Sequence, residues 1–317
     1  MATMIETPKQ KVVRNKPYHD YHAEAHILSG KLTRPVEQNI EAVSQVNLHG
    51  RRGGHFTRFS EVTSVEGLIS FAKGKTRVSG SRSPKHGGWV TLSASIMEGL
   101  NTFEVITADR IISQVSTDHS PINGASDGHF PNVTFLGSQF NNLRVSGFPV
   151  SLTFNFGICG KRPANNRSYL RDLTFLEGIK NQTEKIANAD DLPIDLKASY
   201  DKELRNVERL IELSRDGKWD DDEPKIVCSL IESIGEIPIP GVKSYGHVLV
   251  IPEFGSVSLG EIVVGEKNYE PDPDDEDQDK PQPSVYFTLT GISMKMGCVG
   301  DGAAMASVVT ANGRHKP

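Results

Sequence analysis

Apolar and polar positions alternate along much of this chain. From Val90 to Ile96, the residues Val90, Leu92, Ala94 and Ile96 take every second place, with Thr91, Ser93 and Ser95 between them. That two-residue period is the signature of a strand with one buried face. Short runs rich in Val, Ile, Thr and Phe recur at 22–28, 40–48, 65–71, 89–96, 102–115, 133–140 and 150–156, a composition suited to a pleated surface. Turn residues separate them, as at Gly50-Arg51-Arg52-Gly53-Gly54, Gly80-Ser81-Arg82-Ser83-Pro84, Pro121-Ile122-Asn123-Gly124 and Ser146-Gly147-Phe148-Pro149. Strands at this spacing, with no helical pattern between them, predict antiparallel packing.

The period changes between 167 and 216. Tyr169, Leu170, Leu173, Leu176 and Ile179 recur at helical spacing, as do Leu196, Tyr200, Leu204, Val207, Leu210 and Ile211, and the stretch 188–193 breaks the two sets apart. Strand patterning resumes at 226–234, 247–251, 257–264 and 285–296. The predicted fold is therefore mainly β: an antiparallel β-sandwich or barrel with an inserted α-helical hairpin. Its expected organisation is a flexible N-terminal arm at 1–16, a first part of the β domain at 17–160, and the helical hairpin and its loop at 161–224. A second part of the β domain follows at 225–300, with an acidic loop at 270–280, and then a small, polar C-terminal tail at 301–317.

Composition narrows the classes. No apolar run approaches the ~20 residues needed to span a bilayer, so no membrane insertion is expected. The polar N-terminus lacks the apolar stretch of a secretory signal. The expected location is cytoplasmic, with surface association by another route left open. Cys159, Cys228 and Cys298 are odd in number and far apart. They form neither a disulfide framework nor a zinc spacing, and read as small buried hydrophobes. The formal net charge is −5, yet segment 270–280 alone holds seven acidic residues and one lysine. Residues 1–100 carry fourteen Lys/Arg against eight Asp/Glu. This surplus is scattered, whereas a nucleic-acid footprint is a stripe or cluster. Charge complementarity between subunits is a competing use of the asymmetry.

The run Trp89–Ile112 (WVTLSASIMEGLNTFEVITADRII) is followed later by Phe135–Val150 (FLGSQFNNLRVSGFPV). Together they resemble the choice-of-anchor P family of bacterial β domains, in the alternating small and apolar strand, the "ITAD" segment and the "F-x-N-L-x-V-x-G-x-P-V" pattern. The resemblance covers about 89–151. It implies a sandwich-like all-β domain of exported or surface-associated proteins and transfers no catalytic residue.

Candidate chemistry is sparse. His22, Glu24 and His26 would share one face of a strand, and two imidazoles with a carboxylate can ligate zinc. Same-face neighbours on a strand are ~7 Å apart, because each residue rises ~3.3 Å, so one ion would need a further ligand such as His49 or His55. Their bland alternative is a polar strand face. Arg51 and Arg52 sit in a Gly-flanked turn that could hold an anion through backbone amides and guanidinium groups, or simply face solvent. Gly74-Lys75-Thr76 is not a phosphate loop, since the glycine required five residues earlier is replaced by Ile69. Gly255–Gly260 is not a nucleophile elbow. The 270–280 run lacks the central glycine and terminal glutamate of a calcium loop.

Three functions are compatible with this inventory. The first is a non-catalytic structural or interaction protein that self-assembles as a homo-oligomer, its arm or hairpin packing on a neighbour. The second is a ligand-binding sandwich of carbohydrate-recognition type, with Trp219 as the candidate stacking platform. The third is a metal-dependent enzyme using His22, Glu24 and His26. No catalytic residue is assigned, and no cofactor is expected beyond a divalent metal at the histidine-rich strand.

Overall fold

A computed structural model describes residues 18–34, 37–85, 87–120, 130–164, 167–217, 224–269, 282–297 and 302–316. In chain order its strands are β1 (Tyr18–Leu32), β2 (Gln38–Ile40), β3 (Val46–Gly50), β4 (Gly54–Ser60), β5 (Thr63–Val65), β6 (Ile69–Phe71), β7 (Lys73–Arg82), β8 (Trp89–Thr102), β9 (Ile106–His119), β10 (Asn132–Thr134) and β11 (Gln139–Asn141). Then follow β12 (Arg144–Val145), β13 (Phe148–Pro149), β14 (Leu152–Phe154), the helices α1 (Leu173–Ala187) and α2 (Ile194–Asp216), and β15 (Lys225–Ser229), β16 (Ile231–Ile234) and β17 (Lys243–Tyr245). The last four strands are β18 (Val248–Ile251), β19 (Gly255–Tyr269), β20 (Gln282–Met296) and β21 (Gly302–Lys316).

The fold is mainly β and antiparallel, a sandwich of two large sheets with a helical hairpin inserted between β14 and β15. The first sheet runs β17-β18-β19-β20-β21-β1-β2, with β15 also on β19 and β3 also on β1. The second is built on β9 and β8, with β7 and β4 extending it on one side and the short strands β10 to β13 on the other. Within the segment expected to be a tail, 301–317, Gly302–Lys316 is instead the long strand β21, lodged between β20 and β1. Its inward apolar residues are mostly alanines (Ala304, Ala306 and Ala311, with Val309 among them), so it shows little of the bulky alternation that marks a strand in sequence. The expected flexible arm at 1–16 and acidic loop at 270–280 lie outside the described residues.

The sheets meet closely. Cα atoms of β21 and β8 approach within 8 Å, where facing sheets usually stand ~10 Å apart. Small residues permit this: the Ser93 hydroxyl donates to the Thr310 carbonyl (2.6 Å) and the Ser95 hydroxyl to the His26 carbonyl (2.9 Å). A Cβ on Gly291 would lie 2.8 Å from the Ser113 hydroxyl. This polar seam divides the interior into two apolar clusters. One surrounds Phe287, Val115 and Tyr169 and includes the hairpin, and the other surrounds Ile27, Met97 and Leu259.

At the seam the buried parity of each strand switches. On β20 the buried positions are Val285, Phe287 and Leu289, then Ile292, Met294 and Met296. On β19 they are Val257 and Leu259, then Ile262 and Val264. The ladders skip the rungs joining Ile27, Ser307, Gly291 and Gly260. Gly260 (φ 62°) and Ser307 (φ 57°) turn through the left-handed region there. Irregularities of this kind bend a strand and re-aim its side chains.

Candidate functional site

The hairpin packs as its periodicity dictates. Leu176, Ile179, Val207 and Leu210 are buried on its inner stripe, while Lys180 and Glu208 pair across its outer side at 2.9 Å. The Asp172 carboxylate caps α1 by accepting from Phe175 N–H at 2.9 Å, and α2 stops at Gly217 in the left-handed conformation (φ 67°). Gln182 fixes α1 to the sheet. Its amide donates to the Ser229 carbonyl (3.0 Å) and its carbonyl accepts from Ser229 N–H (2.8 Å), as a neighbouring strand would.

Between the hairpin and the outer face of β19 and β20 lies a pocket of about 190 Å³. Tyr200 and Glu203 reach it from α2, Glu261 from β19 and Lys295 from β20, while Ser256, Ser258 and Ser293 line the sheet wall. His247 enters from the β17–β18 turn, which is held by Leu259 N–H donating to the His247 carbonyl at 3.0 Å. The imidazole is 3% exposed. Its Nε2 bonds the Tyr200 hydroxyl at 3.1 Å, whereas its buried Nδ1 has no partner among the described residues. Buried polar atoms are nearly always paired, so an unpaired nitrogen beside a cavity is unusual.

The electrostatics of the pocket are shaped by desolvation. Burial holds His247 down at about 4 and therefore neutral near pH 7. Burial raises Glu203 above the usual carboxylate range against the charges of Lys202 and Lys225. Glu261 is raised by burial as well, with Glu203 adding to the shift and Lys295 and Lys225 opposing it. Tyr200 is pushed well up by burial, then by the charges of Glu261 and Glu203. Shifted groups gathered in one cleft are characteristic of functional sites.

The sequence candidates lie elsewhere. His22 and Glu24 point outward from β1, and His49 stands directly opposite His22 on β3. Glu24 Oε1 lies 3.2 Å from His22 Nε2 and 3.7 Å from His49 Nε2, and the two Nδ1 atoms are 2.9 Å apart. The Glu24 carboxyl is held below its ordinary range, chiefly by the hydrogen bond from His22 and against its burial. Burial also lowers His26 and His49. The structure thus joins His22 and Glu24 to His49 rather than to His26, whose Nε2 bonds the Ser29 hydroxyl at 2.9 Å. The reason is geometric: four residues along a strand separate His26 from His22 by about 13 Å, while a directly opposite residue sits about 5 Å away. Arg51 faces Asp20 (3.6 Å), Arg52 is exposed in the same turn, and neither lines the pocket. Trp219 lies outside the described residues.

None of the pocket residues stood out in the sequence. Tyr200 and Glu203 read as parts of an amphipathic helix and His247 as the start of a strand. What brings them together with Glu261 and Lys295 is strand and helix pairing over long separations.

The fold and this pocket define an antiparallel β-sandwich protein with a helical hairpin roofing part of one sheet. The chain belongs to the family described as a domain of unknown function (DUF8256), whose model matches residues 19–265. No curated protein and no solved structure matches it. The matched span ends within β19, so β20 and β21, which lie between β19 and β1 in the first sheet, fall beyond it. Among the described residues no helix is long and apolar enough to cross a membrane.

Proposed function

We propose that this protein binds a small, hydroxyl-rich ligand in the pocket between the hairpin and the sheet. The observation that carries the reading is the gathering of polar groups on one cavity wall around His247, a buried imidazole whose Nε2 bonds the Tyr200 hydroxyl. Around it stand a phenol, two carboxyls, an ammonium and several hydroxyls, a donor and acceptor set suited to a sugar ring or polyol. The volume of about 190 Å³ is below the roughly 300–1,000 Å³ of sites for drug-sized molecules, which fits a single ring or a short chain. A thermal-shift panel of monosaccharides, polyols and small amines tests this. At least one hydroxylated member is expected to stabilise the protein, and Glu261→Gln and Tyr200→Phe are expected to weaken its binding about tenfold each, the effect of losing one hydrogen bond. A panel with no stabilising member overturns the reading, and stabilisation by amines alone changes the ligand class.

A second reading, self-assembly, is favoured by one surface. β4 pairs only with β7 among the described residues, and Phe56, Phe59 and the following Val62 are 49%, 71% and 78% exposed. An open aromatic edge of this kind is a template for pairing with another chain. The strand suits a second copy of itself. In an antiparallel pair centred on Thr57, Phe56 faces Arg58 and His55 faces Phe59, while Glu61 falls opposite Gly53 beside Arg52. Light scattering that gives a dimer of the 34.7 kDa chain, reduced to monomer by Phe59→Lys, supports this reading. A monomer at high concentration sinks it.

A further inference from the structure

We propose that His22, Glu24 and His49 form a binding site for a zinc-class divalent metal ion on the outer face of the first sheet. The site is separate from the pocket and does not depend on it.

The argument begins with the ladder. β1 is hydrogen-bonded on both sides along this stretch, to β3 and to β21. The backbone carrying His22 and Glu24 is therefore fixed, and His49 is delivered from the neighbouring strand on the rung opposite His22. Sites on paired strands are held more tightly than sites on loops. One ligand atom from each residue can be chosen so that all lie within 4.8 Å of one another. The Glu24 Oε1 distances of 3.2 and 3.7 Å to the two Nε2 atoms bracket the ~3.3 Å edge of a tetrahedron with the ~2.0 Å bonds of zinc to nitrogen and oxygen.

The donor set selects the metal. Two imidazoles and one carboxylate suit zinc and its late first-row neighbours, whereas calcium and magnesium take oxygen ligands almost exclusively. Three protein ligands leave a coordination position for water or another molecule. The side chains are 24%, 38% and 49% exposed for His22, Glu24 and His49, so an ion can enter and its open position would face solvent. Directly opposite Glu24 on its two flanking strands stand Asn47 and Thr310, the latter bonded to Thr288 at 2.8 Å. Groups of this kind orient a ligating carboxylate.

The test uses the untagged full chain, stripped with a chelator and titrated calorimetrically with zinc chloride. Cobalt(II) absorption reports the coordination geometry in parallel. One equivalent of zinc is expected, with His22→Ala and His49→Ala each weakening binding at least about 100-fold, since even outer-shell changes cost 10–100-fold. His26→Ala is expected to bind as the unaltered chain does. Circular dichroism melting checks that each variant folds, and a variant that does not is replaced by its Asn counterpart. The absence of stoichiometric binding overturns the proposal. So does a loss below tenfold in either histidine variant, or an equal loss in His26→Ala.

Discussion

Ser307 of β21 donates its hydroxyl to the backbone carbonyl of Ser95 on β8 at 3.0 Å, across the interior of the sandwich. Both residues are fully buried. Ser307 is also one of the residues whose backbone lies in the left-handed region (φ 57°), at the row where four adjacent strands exchange which parity faces inward. The bond therefore holds together two features: the close approach of the sheets and the kink that separates the two apolar clusters.

Replacing Ser307 tests that coupling. Ser307→Gly keeps the backbone conformation accessible and removes the small hydroxymethyl group with its hydrogen bond, which is expected to cost about 1 kcal/mol. Ser307→Val adds a branched side chain in a conformation that strains it, and is expected to cost at least about 3 kcal/mol in all. Urea unfolding with unchanged m-values measures both. Equal losses in the two variants would show that the left-handed conformation is not part of the design.

Gln182 offers a second test, because it satisfies both backbone groups of the fully buried Ser229. Gln182→Ala leaves a donor and an acceptor unpaired at the hairpin–sheet boundary. A loss of about 2–3 kcal/mol is expected, accompanied by faster hydrogen exchange at the Ser229 amide. Slow exchange in the variant would mean that water or repacking replaces the side chain.

The fold class was legible because long strands such as β8 alternate openly and because the helical spacing in 167–216 is unambiguous. The errors have specific causes. The run 102–115 hides the turn at Phe103 and Glu104, both at positive φ (54° and 59°), where hairpin turns ordinarily show Asn-Gly or Asp-Gly. The run 65–71 likewise folds back at Glu66 and Gly67 into β5 and β6. β7 went unmarked because its inward positions are Gly74, Thr76, Val78 and Gly80. Small residues suit a tight sandwich, and Gly80 lies against the Tyr21 ring, yet they leave almost no apolar signal.

Two of the three residues of the histidine cluster, His22 and Glu24, were visible as a local pattern, and His49 only as one of two possible further ligands. The rest depended on register, since a one-residue slip of β3 against β1 would turn His49 to the opposite face. The pocket was not visible at all. Its groups are ordinary in their own segments, and only burial at the junction of α2, β19, β20 and the β17–β18 turn gives them shifted titration.

The cysteines give a third prediction. Cys159 and Cys228 are buried, with burial pushing the Cys159 thiol up to about 12 and raising Cys228 well above its ordinary value. The reactive species is the thiolate. A Cys298→Ser variant is therefore expected to resist thiol-reactive dyes while folded and to bind two equivalents when unfolded. Rapid labelling of the native variant would place at least one of these thiols in solvent.

His247 makes stability depend on pH in a predictable direction. Its ordinary value is 6.5, and burial lowers it to about 4 in the folded chain. Between those values the unfolded chain holds a proton here that the folded chain does not, so unfolding takes up protons and acid promotes it. This contribution to stability is complete above about pH 6.5 and is lost progressively as the pH falls toward 4. Its size is on the order of 3 kcal/mol, at about 1.4 kcal/mol for each pH unit. Glu203 and Glu261 act in the opposite sense. Raised above the ordinary 4.5, they stabilise the fold below that value and lose the contribution as the pH rises through their folded values. The wild-type curve mixes these terms, so the informative quantity is the difference from His247→Gln, measured by urea unfolding from pH 7.5 to 4. That difference is expected to narrow by about 3 kcal/mol as the pH falls, because the variant lacks the titration while keeping a polar side chain in the pocket. A constant difference would mean that His247 titrates alike in both states and that the pocket wall is open to water.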